Sequence, residues 1–390
     1  MAIKVGRGAT APPFMVMDVI TSANARQASL PPGAPHVIRM EVGQPATGAP
    51  AGAVAVVQAA LQAGLPMGYT EAFGLPALRT RIARHIADWY GLDIPTSRIA
   101  VTVGASGAFP LAFLAAFNPG DRIAMATPFY PPYVNILTAL GMQPVMLETG
   151  PDTRFQPTIA HLERLSAKPD GLPDGLIIAS PCNPAGTMLH PSELADIARW
   201  CHGNGVRLVS DEIYHGLHYD QPLATAAALS PSAIVINSFS KYFSMTGWRI
   251  GWMVLPEDLI RPVECLAQNM FISAPHIAQI CALAAFDCKA ELDANIARYR
   301  RSRDLLVAAL PLAGFPRLSP AEGAFYLYAD ISDRTNDASE FCARMLRETS
   351  IAASPGVDFD RLRGHHFLRF SYCGAEDDMA LAAQRLKNWT

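Results

Sequence analysis

The residues most suited to chemistry lie in one stretch, S-F-S-K-Y-F-S-M-T-G-W-R-I-G-W, which spans residues 238–252. It places Lys241 eight residues before Arg249. A deprotonated lysine amine can form an imine with a carbonyl compound, and an arginine can bind a phosphate group. A lone lysine after a strand is more often a solvated surface charge. The functional interpretation therefore depends on what other polar groups accompany it.

Three further segments each put a polar group directly after an apolar run. The segment S-D-E-I-Y contains Asp211, S-P-C-N-P-A-G-T contains Asn183, and V-G-A-S-G-A-F contains Ser106. The last segment changes from a predicted strand to a predicted helix, so its backbone N–H groups and hydroxyl can bind an anion. Together with Lys241, the four strand ends supply a phosphate site, an amide, a carboxylate and an amine.

Short apolar runs that alternate with helical patterns must position these groups. Runs of this length without polar alternation are typical of strands buried on both faces of a largely parallel sheet. Ligands bind at the carboxyl ends of the strands in open sheets of this kind. The predicted strands cover residues 98–103, 122–126, 144–147, 176–179, 206–210, 233–237 and 249–255.

The pattern changes after about residue 260. Two long helical stretches at 262–286 and 290–310 precede two predicted strands, at 323–328 and 367–372, and a last helix from about Glu376. We therefore predict an α/β protein: a large domain with a mostly parallel seven-stranded sheet between helices, plus a smaller α+β domain.

The predicted division of the chain has three parts. Residues 1–45 form an N-terminal arm that belongs to the small domain, 46–285 form the large domain, and 286–390 form the small C-terminal domain. The first 40 residues are irregular in pattern, and we expect them to pack against the small domain.

The composition excludes several classes of protein. A net charge of -3, with 17% charged residues, provides no basic field for nucleic acid or an acidic membrane surface. No apolar run reaches the roughly 18 residues of a membrane span. The seven cysteines include no C-x-x-C pair, which favours reduced thiols in a cytoplasmic enzyme and gives no metal site.

From about residue 40 to residue 373 the chain resembles the fold-type-I pyridoxal-phosphate (PLP) enzymes of the class I/II aminotransferase family, which are similar to aspartate aminotransferase. The motifs occur in the family's order, from Y-T-x-x-x-G-L-P-x-L-R at 69–79 to R-x-S at 369–371. Between them lie N-P-x-G, D-E-x-Y and the pair Lys241 and Arg249. The resemblance implies the PLP-transferase type I fold, a PLP cofactor, and an L-amino acid and a 2-oxo acid as substrates.

The resemblance also implies the catalytic roles. Lys241 would hold PLP as a Schiff base and later move the proton, and Asp211 would keep the pyridine nitrogen protonated so that the ring accepts electrons. Tyr214, with Asn183, would hydrogen-bond the phenolic oxygen of the ring. Tyr130 would stack on the ring face.

The remaining implied roles concern the phosphate, the substrate and a partner subunit. The phosphate site would consist of Gly104, Ala105, Ser106, Ser238, Ser240 and Arg249. Arg369 would bind the substrate α-carboxylate in bidentate fashion, with Gly43 and Asn183 beside it. Tyr69 would reach the phosphate of the neighbouring subunit, which implies a homodimer.

Related enzymes often have cis peptide bonds at two matching positions. We therefore predict cis geometry at Thr127-Pro128 and Asn183-Pro184, although cis is rare at X-Pro bonds in general. Tyr133 and Trp248 are interpreted as packing residues.

Two other functions are compatible with the same motifs. A PLP-dependent C–S lyase that catalyses β-elimination would share the cofactor site and differ only in its substrate pocket. A non-catalytic PLP-binding sensor would carry a DNA-binding module in front of these motifs, for which we expect no room here.

Overall fold

The computed structural model describes residues 3–389, apart from the side chains of Arg7 and Thr10. The α-helices are α1 Met15–Ser29, α2 Ala51–Gln62, α3 Pro76–Tyr90, α4 Gly104–Ala116, α5 Pro132–Ala139, α6 Ile159–Ser166, α7 Pro191–Gly203, α8 Ala226–Leu229, α9 Ile260–Met270, α10 His276–Ala285, α11 Lys289–Ala309, α12 Ala338–Thr349 and α13 Glu376–Lys387. The strands are β1 Ile38–Arg39, β2 Ile99–Thr102, β3 Arg122–Thr127, β4 Gln143–Glu148, β5 Gly175–Ala179, β6 Arg207–Asp211, β7 Ile234–Ser238, β8 Gly251–Val254, β9 Arg317–Leu318, β10 Tyr326–Asp330, β11 Ile351–Ala352, β12 Ser354–Pro355 and β13 Phe367–Ser371.

The large sheet has seven strands in the order β2-β8-β7-β6-β5-β3-β4. Strands β7, β6, β5, β3 and β4 pair in parallel, whereas β8 is antiparallel to both of its neighbours. Each of the seven strands overlaps one of the predicted apolar runs. The predicted fold class, a mostly parallel seven-stranded sheet between helices, is confirmed.

Both faces of the large sheet are buried, as the lack of polar alternation in its strands predicts. On β5, Leu176 and Ile178 belong to an apolar cluster with Leu194 of α7, whereas Ile177 points to the opposite cluster with Phe113 of α4. The helices thus cover the sheet on two sides, and the strand ends are left as the place where polar side chains gather.

A smaller antiparallel sheet has the order β12-β13-β10-β9. Its core includes Leu327 and Phe370 from the strands and Leu306, Phe341 and Leu386 from helices α11, α12 and α13. The predicted strand at 323–328 begins later, at Tyr326, because the preceding residues bond elsewhere. Gly323 N donates to Gly186 O and Ala324 N donates to Leu217 O.

Two other local predictions differ from the structure. The predicted helix 262–286 is two helices, α9 and α10, because Pro275 lies between them and the residue before a proline avoids the helical region. The N-terminal region predicted to be irregular contains α1, a helix of 15 residues that packs on α12 and β11. The domain limits at residues 45 and 285 stay predictions.

Among residues 3–389, no helix is both long enough and apolar enough to cross a membrane.

Candidate active site

The carboxyl ends of β5, β6 and β7 and the start of α4 open into one cavity of about 420 Å³. Most of the predicted site residues line it: Gly43, Ala105, Ser106, Tyr130, Asn183, Asp211, Tyr214, Ser240, Lys241, Arg249 and Arg369. Gly104 and Ser238 lie behind this lining. Tyr69 does not line the cavity, and its side chain is 82% exposed.

Lys241 follows β7 in a tight turn that directs its side chain into the cavity. Its Nζ donates a hydrogen bond to Gly43 O at 2.6 Å. Burial, helped by the nearby Arg369 and Arg249 cations, lowers the pKa of the Lys241 amine to about 8, against the opposing effects of Cys373 and Asp211. A larger share of the amine is therefore unprotonated near neutral pH than in an ordinary lysine, as a nucleophile requires.

Asp211 is the last residue of β6 and is buried. Its Oδ1 accepts a hydrogen bond from Ile213 N at 3.1 Å, and its Oδ2 accepts a short one from the Tyr133 hydroxyl. Burial raises the pKa of the Asp211 carboxyl to about 6, while the Tyr133 hydroxyl and the Lys241 cation both oppose this rise. Two hydrogen bonds hold the carboxylate in place, and it lines the same cavity as the Lys241 amine.

Tyr133, which the sequence suggests is only a packing residue, also makes a polar contact with Asp211. Its ring packs on Phe109 with the ring centroids 5.1 Å apart, as a core residue would, but its hydroxyl contacts Asp211. The sequence holds a signal for this role, since Tyr133 lies one helical turn after Tyr130 in T-P-F-Y-P-P-Y. Tyr133 lies in the first turn of α5 and Tyr130 just before that helix, and both side chains line the cavity.

Arg249 lies beside the N-terminus of α4. Its Nη2 donates to Ser106 Oγ at 3.3 Å. Gly104 has a φ of +66°, and a Cβ there would lie 2.7 Å from Arg249 Nη2, so only glycine fits at this position. A helix N-terminus next to a guanidinium forms a site for a phosphate-like anion.

Two of the predicted phosphate residues differ in position. Ser240 lines the cavity, whereas Ser238 lies behind it and donates through Oγ to Ile250 O at 3.1 Å. Ser238 Oγ also accepts a hydrogen bond from Ser240 N at 3.1 Å. Ser238 therefore holds the turn that carries Ser240 and Lys241.

Arg369 is a buried arginine of β13 whose partners in the described chain are uncharged. Nη1 donates to Asn183 Oδ1 at 2.6 Å, and Nη2 donates to Glu41 O and, at 3.3 Å, to Ser354 Oγ. Nε is buried without a hydrogen-bond partner among residues 3–389. No carboxylate of residues 3–389 forms an ion pair with this buried cation, which makes it a ready site for the carboxylate of a ligand.

Two aromatic rings pack against the Arg369 guanidinium. Its carbon lies 4.4 Å from the ring centroid of Tyr326 and 4.7 Å from that of Phe359. The Tyr326 hydroxyl also shares a hydrogen bond of 2.8 Å with the Tyr214 hydroxyl. A Cβ at Gly43 would lie 1.7 Å from Tyr326 Oη, so the close approach requires glycine there.

Sequence reasoning missed several cavity residues, among them Tyr326 and a group from the N-terminal segment. Tyr326 lay in a run interpreted only as a strand, where nothing marked it as a site residue. The other group comes from the N-terminal segment, whose pattern suggested no helix. It consists of Phe14, Val16, Met17 and Ile20.

Both predicted cis peptide bonds, Thr127-Pro128 and Asn183-Pro184, are present. A third cis bond, at Ser180-Pro181, was not predicted.

Comparisons with known proteins agree with this geometry. Residues 35–386 match the family described as Aminotransferase class I and II. The chain is 45% identical to the valine–pyruvate aminotransferase of Mycobacterium tuberculosis, over 100% of this chain and 99% of that protein. A crystal structure of an aminotransferase from the same organism has a TM-score of 0.95 at 45% identity, covering 100% of this chain and 99% of the other.

A more distant structure shares the whole fold. Aspartate aminotransferase from Thermus thermophilus with maleate has a TM-score of 0.91 at 28% identity, with 100% of both chains covered. The chain therefore belongs to the class I and II aminotransferases, and it is a transaminase, an enzyme of a family that implies PLP as the cofactor.

Proposed function

We propose that this aminotransferase holds PLP through Lys241 and transfers the amino group of a small aliphatic L-amino acid, such as valine, to a 2-oxo acid, such as pyruvate. The observation that carries the proposal is that three basic side chains line one cavity, and each suits a different group of the cofactor or substrate. Lys241 offers an amine, Arg249 an anion site at a helix end, and Arg369 a second anion site.

The residues present fit the cofactor. The close packing of Gly104 against Arg249 leaves the N-terminus of α4 open to a phosphate, and the buried Asp211 lines the same cavity as a partner for a protonated ring nitrogen. When bound, PLP supplies an electron sink for reactions at the substrate α-carbon. The residues proposed to hold it are Gly104, Ala105, Ser106, Tyr130, Asn183, Asp211, Tyr214, Ser238, Ser240, Lys241 and Arg249.

Lys241 has two proposed tasks. Its Nζ would hold the cofactor covalently and, once displaced by a substrate amine, would move the proton of the substrate α-carbon. A pKa lowered by burial suits both tasks, because the amine is a nucleophile and a base only when it is unprotonated.

The first prediction tests the covalent site. Reduction of the holoenzyme with borohydride, followed by peptide mapping, should place the pyridoxyl group on Lys241. Lys241→Ala should take up no label in the same experiment, whereas the exposed Lys289→Ala should label normally. A label on another lysine in the unmodified protein would falsify the assignment.

The second prediction concerns the Tyr133 hydroxyl. Its hydrogen bond lowers the pKa of Asp211, so Tyr133→Phe should raise that pKa. A higher pKa means that the carboxylate is lost at a higher pH as the solution is acidified. The acid limb of the kcat profile should therefore move up by about one pH unit, the size expected for one hydrogen bond to a charged group.

The matched control for this prediction is Tyr328→Phe. Tyr328 is buried and its hydroxyl has no partner among residues 3–389, so its removal should leave the acid limb in place. Equal profiles for the two variants and the unmodified enzyme would show that Tyr133 only packs.

Two observations support a small aliphatic amino donor. The relative that is 45% identical is a valine–pyruvate aminotransferase. Of the cavity-lining cations of this chain, all three already have a proposed task, and none is left for a second substrate carboxylate. Apolar side chains of Phe14, Val16 and Ile20 line the cavity instead, as a hydrocarbon side chain requires.

The third prediction is a substrate profile. With pyruvate as acceptor, valine should be a far better donor than aspartate. Arg369→Lys should raise KM for donor and acceptor roughly tenfold, because a lysine cannot make both of the parallel hydrogen bonds that an arginine makes to the substrate α-carboxylate. The exposed Arg361→Lys is the matched control and should change neither constant. A preference for aspartate would refute the donor class. Release of pyruvate from an amino acid without an acceptor would instead indicate the lyase reaction.

The proposed assembly is a homodimer with shared sites. Tyr69 projects into solvent, and the exposed apolar side chains of Met270 and Ile272 lie on the segment that is joined to it through a Thr70 N to Ser273 Oγ hydrogen bond of 3.4 Å. An exposed aromatic side chain beside exposed apolar ones is typical of a subunit interface.

The fourth prediction follows from this assembly. Mixing Lys241→Ala subunits with Tyr69→Phe subunits should produce heterodimers in which one site contains neither substitution. The mixture should then be more active than either parent. Absence of recovery, when subunit exchange has been demonstrated by mass spectrometry, would show that Tyr69 serves its own chain or no site.

A further inference from the structure

The first turn of α1 is held by a carboxylate from the far end of the sequence. Met15 N donates to Asp358 Oδ1 at 3.1 Å, and Val16 N donates to Asp358 Oδ2 at 3.2 Å. Asp358 is 7% exposed. The first N–H groups of a helix have no partner within the helix, so an acidic side chain from another segment takes the place of a cap.

The α1 helix has no capping side chain of its own. Its N-cap residue is Phe14, which makes no side-chain hydrogen bond to the helix. The attachment of this end of α1 therefore depends on Asp358 and on apolar contacts. One of these is the edge-on contact between Phe14 and Tyr130, whose ring centroids are 5.8 Å apart.

The residue after Asp358 contacts two other parts of the site. The Phe359 ring lies 4.7 Å from the guanidinium carbon of Arg369. Its backbone O accepts a hydrogen bond of 3.0 Å from Phe129 N, directly before Tyr130. The two residues 358 and 359 thus connect α1, the substrate-carboxylate arginine and the aromatic residue above the cavity.

The anchored turn also supplies part of the cavity wall. Phe14, Val16, Met17 and Ile20 all line the cavity that contains Lys241 and Arg369. Because these side chains project from one helix, their distance from Arg369 depends on where the start of that helix is held.

We propose that Asp358 is a positioning residue that fixes the apolar wall from α1 at a set distance from Arg369 and thereby selects the length and branching of the amino donor. The inference rests on the proposed function, because it assumes that Arg369 binds the α-carboxylate and that a hydrocarbon side chain meets this wall. Asp358 touches neither substrate nor cofactor in this proposal.

The substitutions Asp358→Ala and Asp358→Asn form a graded series. Alanine removes both acceptors, whereas asparagine keeps one oxygen but turns an N–H group toward the second amide. The control is Asp18→Asn, which removes an exposed charge on the same helix without removing an acceptor from the anchored amides. If the alanine variant does not fold, the asparagine variant carries the test.

The first readout needs no substrate. Hydrogen exchange of the holoenzyme, followed by mass spectrometry, should show faster exchange over residues 14–20 by roughly 2- to 30-fold for Asp358→Ala, the range that loss of a helix cap produces. Asp358→Asn should fall between, and Asp18→Asn, which removes only an exposed first-turn charge, should exchange no more than about fivefold faster than the unmodified protein and more slowly than Asp358→Ala. Unchanged exchange in both Asp358 variants would overturn the anchor.

The second readout is selectivity. In Asp358→Ala, kcat/KM for valine should fall by about tenfold relative to kcat/KM for alanine, since the smaller donor does not reach the wall. A purely structural role would lower both by the same factor, and that result would overturn the inference even if exchange became faster. Failure of the unmodified enzyme to use aliphatic donors would refute the proposed function instead. That result comes from the unmodified enzyme alone, so the two failures are distinguishable.

Discussion

A buried guanidinium joins the two sheets of this enzyme. Arg369 belongs to the small antiparallel sheet, and its Nη1 reaches Asn183 at the end of the large parallel one. A buried charge is costly unless its hydrogen bonds are made, and here carbonyl and hydroxyl oxygens make them without neutralising it. These hydrogen bonds fix the positions of the residues around Arg369. The positive charge nevertheless remains available to bind an anion in the cavity.

The electrostatic character of the cavity follows from the same feature. Three cations and one carboxylate, Asp211, line it, so the field inside is positive. An enzyme that takes up a phosphate and a substrate carboxylate together needs this imbalance, because each anion loses its water on entry. Burial is the main cause of the low pKa of Lys241, and the Arg369 and Arg249 cations add to it, so the groups that attract anions also contribute to the reactivity of the amine.

The sequence predicts the site residues that lie at strand ends. It does not predict those that reach the cavity through long-range packing. Asp211, Asn183 and Lys241 follow apolar runs directly, and parallel pairing brings such strand ends to one edge of a sheet. Tyr326 and the α1 residues reach the cavity only through long-range packing, which leaves no local pattern. Pro275 is a signal for the break between α9 and α10, but the apolar residues on either side of it favour one continuous helix in the sequence pattern.

The antiparallel direction of β8 limits the insertions that the chain can accept during evolution. Ser238 at the end of β7 pairs with Gly251 at the start of β8, so the antiparallel turn returns the chain to the edge it has just left. A parallel β8 would begin at the opposite edge and would need a crossover of a dozen or more residues before it. Because the strand is reversed, the amine of Lys241 and the guanidinium of Arg249 are encoded within one short peptide. Insertions between them are then expected to be rare among descendants of this sequence.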